Sequence, residues 1–176
     1  IEFQKKEEIN FIETKINMFF GDDKEAVFIP ASRSLFSILS DQYANVQTDF
    51  FTEDFLRRIL ILKPTFHQSL EQIIAERKLR GNHIATDDEL NLAVHRIKAI
   101  LKGEYRKDNE GEKIYLDEKQ FVKLTAASSG QQEAVWILLL LFVFILNKKK
   151  VFLVIEEPEA HLFPEAQKAM VELISL

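Results

Sequence analysis

The amino-acid sequence predicts an α/β fold whose core contains a parallel sheet and is interrupted by a helical insertion and a β-hairpin. Three stretches lead to this prediction: an unbroken apolar run at 151–155, helical patterns over 49–102, and alternating polar and apolar residues over 104–124. An unbroken apolar run suits a strand that is covered on both faces, as in the parallel sheets of α/β proteins.

The composition fits one packed domain with few loops. The chain has 176 residues, of which 47% are hydrophobic, and it contains 15 Phe but only 5 Gly and 4 Pro. Its 28 acidic and 23 basic side chains argue against a chain-wide nucleic-acid surface. The absence of cysteine excludes disulfides and thiolate metal sites. We recognise no leader sequence and therefore expect a cytoplasmic protein.

The first segment of the core, 1–48, is predicted to contain a helix ending at Gly21, a short strand at 26–29 and a short helix at 35–43. The loop after the strand contains Arg33. We expect this side chain either to contact a phosphate or an interface, or to be an ordinary solvated arginine.

The segment 49–105 is predicted to be an insertion of two or three helices. The first has Thr52 as its N-cap candidate and stops before Pro64, and the second ends at the C-cap glycine Gly81. The third closes at Gly103. It opens with a capping box formed by Thr86 and Glu89. Its apolar residues fall on one face: Leu90, Val94, Ile97 and Leu101.

A basic group near the end of the second helix is a candidate contact for DNA. Its members are Arg77, Lys78, Arg80 and His83. The acidic chain and the lack of interleaved aromatic residues favour an ordinary charged surface instead.

The last segment, 106–176, is predicted to complete the core. Its elements are a hairpin around Asn109-Glu110-Gly111 with strand-like sequence behind it, helix 130–147, strand 151–155 and helix 164–175. The apolar run 134–146 has 13 residues, whereas a membrane span needs about 20. We therefore expect a buried helix and no membrane association.

Two adjacent carboxylates, Glu156 and Glu157, follow the predicted strand 151–155. Ligands of parallel sheets bind beyond the carboxyl ends of the strands, and paired carboxylates at a partly dry site repel each other unless a cation is present. Mg²⁺ takes one or two carboxylates together with water and phosphate oxygens. Glu156 is thus a candidate metal ligand, and Glu157 a candidate general base.

Two other interpretations of these carboxylates remain open. They can be the acidic start of the following helix, where negative charge is favourable. Glu157 and His161 also have the spacing of a helical zinc site. Pro158 argues against zinc, because it restricts Glu157 to extended backbone.

A second motif, "AASSGQQEAVW", lies at 126–136 before a long apolar run. Ser129 and Gln132 have the spacing of a capping box, which by itself describes an ordinary helix start. Hydroxyls and free amides at a helix start also bind phosphate. We expect the turn Ser128–Gly130 and the side chains of Glu156 and Glu157 to be exposed.

Both motifs resemble those of a known family. Ala127-Ser128-Ser129-Gly130-Gln131 resembles the ABC-type signature Leu-Ser-Gly-Gly-Gln, with Ala127 for Leu and Ser129 for Gly. "VFLVIEE" resembles a Walker B strand, with Glu156 where most ABC proteins have Asp. "EEPEAHLFPEAQ" is similar to the Glu-Glu-Pro-Glu-Ala-His-Leu-His-Pro run of AAA ATPases of the OLD (overcoming lysogenization defect) and RecF/SMC-like kind, with Phe163 for the second His. The resemblance covers about 112–176.

The resemblance implies an ABC-like, partial P-loop NTPase lobe that binds ATP and Mg²⁺ between two subunits. It implies that Glu156 is a Mg²⁺ ligand through water and that Glu157 is the catalytic base. The residues implied to face the partner's nucleotide are Ser128, Ser129, Gly130 and Gln131. His161 falls in a stretch that touches the partner subunit in this family, although an ordinary turn histidine explains it equally well.

The phosphate loop G-x-x-x-x-G-K-[ST] does not occur in the chain, because none of the chain's five glycines is followed by lysine. We therefore expect an internal part of a longer ATPase, inactive alone. The longer protein is expected to hydrolyse ATP as a homodimer, in DNA repair, DNA processing or phage defence. The alternative is a non-enzymatic interaction domain on a degenerate ATPase scaffold.

Overall fold

A computed structural model describes residues 24–31, 33, 49–81 and 85–176. The elements of this part are, in chain order, strand β1 (Glu25–Ile29), helix α1 (Phe50–Leu62), a 3₁₀ turn (Lys63–His67), helices α2 (Leu70–Leu79) and α3 (Asp87–Leu101), strands β2 (Glu104–Asp108), β3 (Gly111–Tyr115) and β4 (Phe121–Lys123), helix α4 (Ser129–Leu146), strand β5 (Val151–Ile155) and helix α5 (Pro164–Ile174). The predicted mixed α/β fold is confirmed. The helices predicted before Gly21 and at 35–43 lie outside the described residues.

The two predicted core strands form a parallel pair. β1 and β5 lie side by side with Val27 opposite Leu153 and Ile29 opposite Ile155. Val27 and Ile29 are fully buried, and the odd-numbered residues of β5 pack against the same core.

The prediction that β5 is covered on both faces is wrong for the described structure. Phe152 and Val154 are 62% and 44% exposed, respectively. Because successive side chains of a strand point to opposite faces, the odd-numbered residues pack against the core while these two lie on the open side.

Helix α4 is the centre of the core, and its burial confirms the buried-helix prediction. By length and composition the described residues contain one helix, Ser129–Leu146, that is able to cross a membrane, but 72% of that window is buried inside the fold. Trp136 and Phe142 project from it into an aromatic cluster with Tyr105 and Phe66, with ring centroids 6.1 Å apart in both the Tyr105–Trp136 and the Phe66–Phe142 pair. The helix is therefore held by both the insertion and the hairpin.

The caps of the insertion follow the sequence except at the start of α1 and at the end of α3. The capping box of Thr86 and Glu89 is present, and Gly81 adopts the left-handed backbone expected after α2, with φ of 67°. α1, however, is capped by Asp49 rather than Thr52. The Asp49 carboxylate accepts hydrogen bonds from the amides of Phe51 and Thr52 at 3.0 Å, so the helix begins at Phe50, three residues earlier than a Thr52 cap would place it.

The last helix of the insertion, α3, ends two residues before Gly103. Lys102 takes the left-handed conformation there, with φ of 50°. Gly103 begins the hairpin, where a Cβ atom would lie 2.5 Å from the Tyr115 carbonyl oxygen. The hairpin turns at Asn109-Glu110-Gly111 as predicted, and β4 follows it.

Glu25 fastens the start of β1 to its neighbours, and its ionisation should contribute to stability. Burial raises the pKa of Glu25, but hydrogen bonds from Lys149 and Arg58 outweigh burial and hold that pKa below its ordinary value. The contribution is therefore present above the ordinary carboxyl range, about pH 4, and is lost as pH falls through the lower folded-state pKa.

We predict that in Glu25→Gln the free energy of unfolding falls less steeply as the pH is lowered below about 4. Urea unfolding of this variant between pH 3 and 7, against the unmodified chain, measures the effect. Glu118→Gln, at an exposed carboxylate, is the matched control and should leave this pH dependence unchanged. An unaltered pH dependence in Glu25→Gln would show that the two cations do not stabilise ionised Glu25.

Candidate functional site

The start of α4 and the turn after β5 touch each other at Gly130. A Cβ atom on Gly130 would fall well inside contact distance of the His161 carbonyl oxygen, 3.1 Å from its carbonyl carbon and 3.4 Å from the Leu162 side chain. Only glycine fits this approach without displacing the turn. The fold thus brings together the two motifs that the sequence presents separately.

The prediction of an exposed Ser128–Gly130 turn is correct for Ser128 and Ser129, but Gly130 is buried. The reason is the contact with His161, which lies in the turn between β5 and α5 (residues 156–163, called the acidic turn below) and covers the glycine.

The capping box at the start of α4 is formed by Ser128 and Gln131, one residue before the predicted pair. The Gln131 amide donates to Ser128 Oγ at 3.3 Å, and the Ser128 amide donates to Gln131 Oε1 at 3.1 Å. Ser129 is therefore the first residue of the helix, and Gln132 donates instead to the Ala127 carbonyl at 2.9 Å. Amides before Gln131 have no acceptor within the helix.

Gln131 also connects the signature-like motif to the helical insertion. Its Nε2 donates to the carbonyl of Leu101, the last residue of α3, at 2.6 Å. Both ends of the Gln131 amide are thus used in holding the helix start in place.

The carboxylates lie at the predicted strand tip. The Glu156 amide donates to the Ile29 carbonyl at 2.9 Å, which extends the β1–β5 ladder by one bond. The Ala31 amide donates to Glu156 Oε2 at 3.1 Å. Both Glu156 and Glu157 are exposed, in agreement with the prediction.

The prediction of extended backbone at Glu157 is wrong. Its φ is 43°, in the left-handed region, and His161 has φ of 59°. Such backbone costs a non-glycine residue on the order of 1–3 kcal/mol and persists where the surroundings impose it. Here the Glu157 carbonyl accepts from the Ala160 amide at 3.1 Å and from the Arg33 guanidinium at 2.7 Å.

Arg33 lies beneath the acidic turn and is only 1% exposed, so it is not a solvated loop arginine. Its Nη1 donates to the carbonyls of Pro30 and Glu156, at 2.6 and 2.7 Å, and its Nη2 donates to that of Glu157. Burial lowers the pKa of Arg33 from its ordinary value, and nearby carboxylates oppose that shift: Glu133, Glu157, Glu156 and Glu159. The guanidinium stays charged, because the ordinary pKa of arginine is so high.

Glu133 is the site residue that the sequence analysis missed. It is only 7% exposed, and its Oε1 lies 3.7 Å from Nε2 of His161, which is itself 59% exposed. A protonated His161 thus forms an ion pair between the acidic turn and α4. One feature indicates Glu133 in the sequence: it is the sole charged residue of the helix 129–146.

The described geometry does not support a helical zinc site at Glu157 and His161. Within the described part of the chain, no group of three or more His, Asp or Glu side chains converges as a metal site. The residues between Glu157 and His161 form a turn, so the two do not share a helical face. An exposed Glu156 held by one amide fits Mg²⁺, which takes one or two protein carboxylates and completes its shell with water and phosphate oxygens.

The basic group near the end of α2 is partly neutralised. Lys78 is ion-paired with Asp87, and Arg80 lies 3.7 Å from Glu76. His83 lies outside the described residues. These pairings reduce the positive charge available to a nucleic acid.

Comparison with protein families gives one match. A family model described as an AAA ATPase domain matches residues 3–176, a range that includes the helical insertion and both motifs. No curated protein and no solved structure matches the chain significantly.

We predict that Gly130→Ala separates the start of α4 from the acidic turn. The new methyl group must displace the His161 carbonyl, so stability should fall on the order of 1–3 kcal/mol. Amides of residues 157–163 should also exchange hydrogen faster, as followed by mass spectrometry.

Gly103→Ala is the matched control, because its methyl group meets the Tyr115 carbonyl at a comparable distance, in the hairpin and not in the turn after β5. It should lower stability without selectively accelerating exchange at 157–163. Equal exchange changes at 157–163 in both variants would contradict the contact.

Proposed function

The chain belongs to the AAA ATPase domain family, and from that premise we propose that it is part of an ATP hydrolase whose nucleotides lie between two subunits. One observation supports this proposal above the others: the contact at Gly130 unites a phosphate-type helix start with an acidic strand tip. An ordinary capped helix and an ordinary acidic turn have no need of such an approach.

Glu157 is the proposed general base. It is exposed at the tip of β5, where it accepts a proton from the attacking water as the water oxygen bonds to the γ-phosphorus. The bond from that phosphorus to the β–γ bridging oxygen then breaks, which yields ADP and phosphate. Glu156 accepts a hydrogen bond from the Ala31 amide and would bind Mg²⁺ through the water molecules that surround the ion. When bound, the ion neutralises charge on the phosphate oxygens.

The start of α4 is the proposed second half of the site and faces the nucleotide of the partner subunit. Ser129 is exposed as the first helical residue, and the helix dipole favours an anion there. Ser128 and Gln131 keep this start in shape through their capping box. Gly130 permits the close packing, and His161 lies at the rim of the same face.

This division of labour requires a dimer, and we propose that ATP drives the association of two copies of the longer protein. DNA repair, DNA processing or phage defence, in the cytoplasm, are the processes that the motif resemblance favours. The second candidate is an interaction domain on a degenerate ATPase scaffold, in which the carboxylates remain but hydrolysis is lost. An intact phosphate loop in the adjoining sequence would decide for hydrolysis.

We predict that Glu157→Gln in the longer protein lowers the ATP hydrolysis rate about 10²–10⁴-fold, the usual contribution of a general base. Nucleotide binding should survive, because other groups hold the phosphates, and an ATP-bound dimer should accumulate in size-exclusion runs. Glu156→Gln should instead raise the Mg²⁺ concentration needed for half-maximal rate.

Glu159→Gln is the matched control, since this carboxylate is exposed in the same turn. It should leave both the rate and the Mg²⁺ dependence close to normal. The measurement is the ATPase rate against Mg²⁺ concentration for all three variants. Near-normal turnover by Glu157→Gln would rule out Glu157 as the base.

The 176-residue chain alone is predicted to bind ATP more weakly than millimolar and to show no turnover. One open face supplies few phosphate donors, and a millimolar dissociation constant already corresponds to about 4 kcal/mol. Isothermal titration calorimetry measures the affinity, with the Gly130→Ala variant as the comparison. Micromolar binding by the unmodified chain would contradict this prediction.

A further inference from the structure

Arg33 joins two parts of the chain that are distant in sequence. Its guanidinium contacts the carbonyl three residues before it and two carbonyls more than 120 residues away, at Glu156 and Glu157. These consecutive carbonyls belong to the two peptide groups on either side of the Glu157 Cα atom. The Arg33 side chain therefore restrains the backbone on both sides of Glu157, the candidate base.

The location of this arginine is energetically demanding. It is 1% exposed, its three acceptors are neutral carbonyls, and its Nε is buried without a hydrogen-bond partner in the described structure. Burial of a charge is costly unless it is well paired and hydrogen-bonded. The carboxylates of Glu133, Glu156 and Glu157 offset part of this cost through their charge.

Another arginine of the same region shows what a purely structural role looks like. Arg58 is bonded to the carboxylates of Asp54 and Glu25, and it thereby ties α1 to β1. Of its partners, Glu25 is at the opposite end of β1 from the acidic turn, and Asp54 lies in α1. Arg33 instead bonds only main-chain carbonyls, two of which belong to the turn whose Glu157 has φ of 43°.

We propose that Arg33 is a positioning residue for Glu157: by fixing the carbonyls of residues 156 and 157, it holds that residue in the left-handed backbone and so sets the direction of its carboxylate. The direction of a side chain from its Cα atom follows from the backbone, so a fixed backbone narrows the positions that the carboxylate reaches. This role rests on the proposed function of Glu157, while the backbone restraint itself does not.

The restraint is tested first on the 176-residue chain by hydrogen exchange. Arg33→Met removes all three bonds, and Arg33→Lys keeps a cation that reaches fewer carbonyls. Amides of Ala160 and Leu162, which close the turn on the carbonyls of Glu157 and Glu159, should exchange about tenfold faster or more in Arg33→Met. Arg33→Lys should show a smaller increase, and amides of α3 should stay unchanged in both.

Arg58→Met is the matched control for loss of a partly buried arginine. It should lower thermal stability without selective exchange at residues 157–163. Unchanged exchange in the turn of Arg33→Lys and Arg33→Met, or a uniform increase across the fold, would overturn the restraint. If Arg33→Met does not fold, Arg33→Lys alone decides between these outcomes.

The catalytic consequence is tested in the longer protein by a double-mutant cycle under single-turnover conditions. Arg33→Lys should lower the hydrolysis rate at least about tenfold with little change in ATP affinity, and should cost nothing further when combined with Glu157→Gln. An undiminished effect of Arg33→Lys in the Glu157→Gln background would overturn the positioning role. Near-normal turnover by Glu157→Gln alone would instead overturn the proposed function, whatever the exchange data show.

Discussion

The close approach of Gly130 to the His161 carbonyl is the constraint on which the arrangement of the site depends. α4 is buried from its second turn onward and has few ways to shift, so its start can meet the turn after β5 only where both backbones come together. Any side chain at residue 130 would move the turn and the two carboxylates before it. The site is therefore specified by packing as much as by its charged residues.

Charge then fixes what packing has brought close. Arg33 lies under the turn as a buried cation, and Glu133 lies on α4 as a buried anion. Arg33 holds the carbonyls of Glu156 and Glu157, while Glu133 approaches His161 across the same contact. The bonds from Arg33 help to hold Glu157 at its positive φ, and a protonated His161 adds an ion pair to Glu133.

Sequence patterns predicted those features of the fold that depend on neighbouring residues. The box of Thr86 and Glu89 and the hairpin turn at Gly111 are local, and both were predictable. The α4 cap was not, because the sequence Ser-Ser-Gly-Gln-Gln offers two Ser–Gln pairs at the same spacing. The first pair forms in the structure, where Gly130 meets the His161 carbonyl and Gln131 also reaches the Leu101 carbonyl. The burial of Arg33 was not predictable either, because it depends on carbonyls more than 120 residues away in sequence.

The hydrogen bond from Gln131 to the Leu101 carbonyl connects the helical insertion to the start of α4. The start of α4 is held by α3 on one side and by the acidic turn on the other, and further along the helix Lys63 lies 4.5 Å above the Trp136 ring. Because α4 is buried and closely packed along most of its length, a contact further along the helix also bears on the position of its start. A displacement of the insertion must therefore move the helix start relative to Glu157 or break the bond at Leu101. The insertion is in this sense part of the support of the site, although none of its described side chains lies among the candidate catalytic residues.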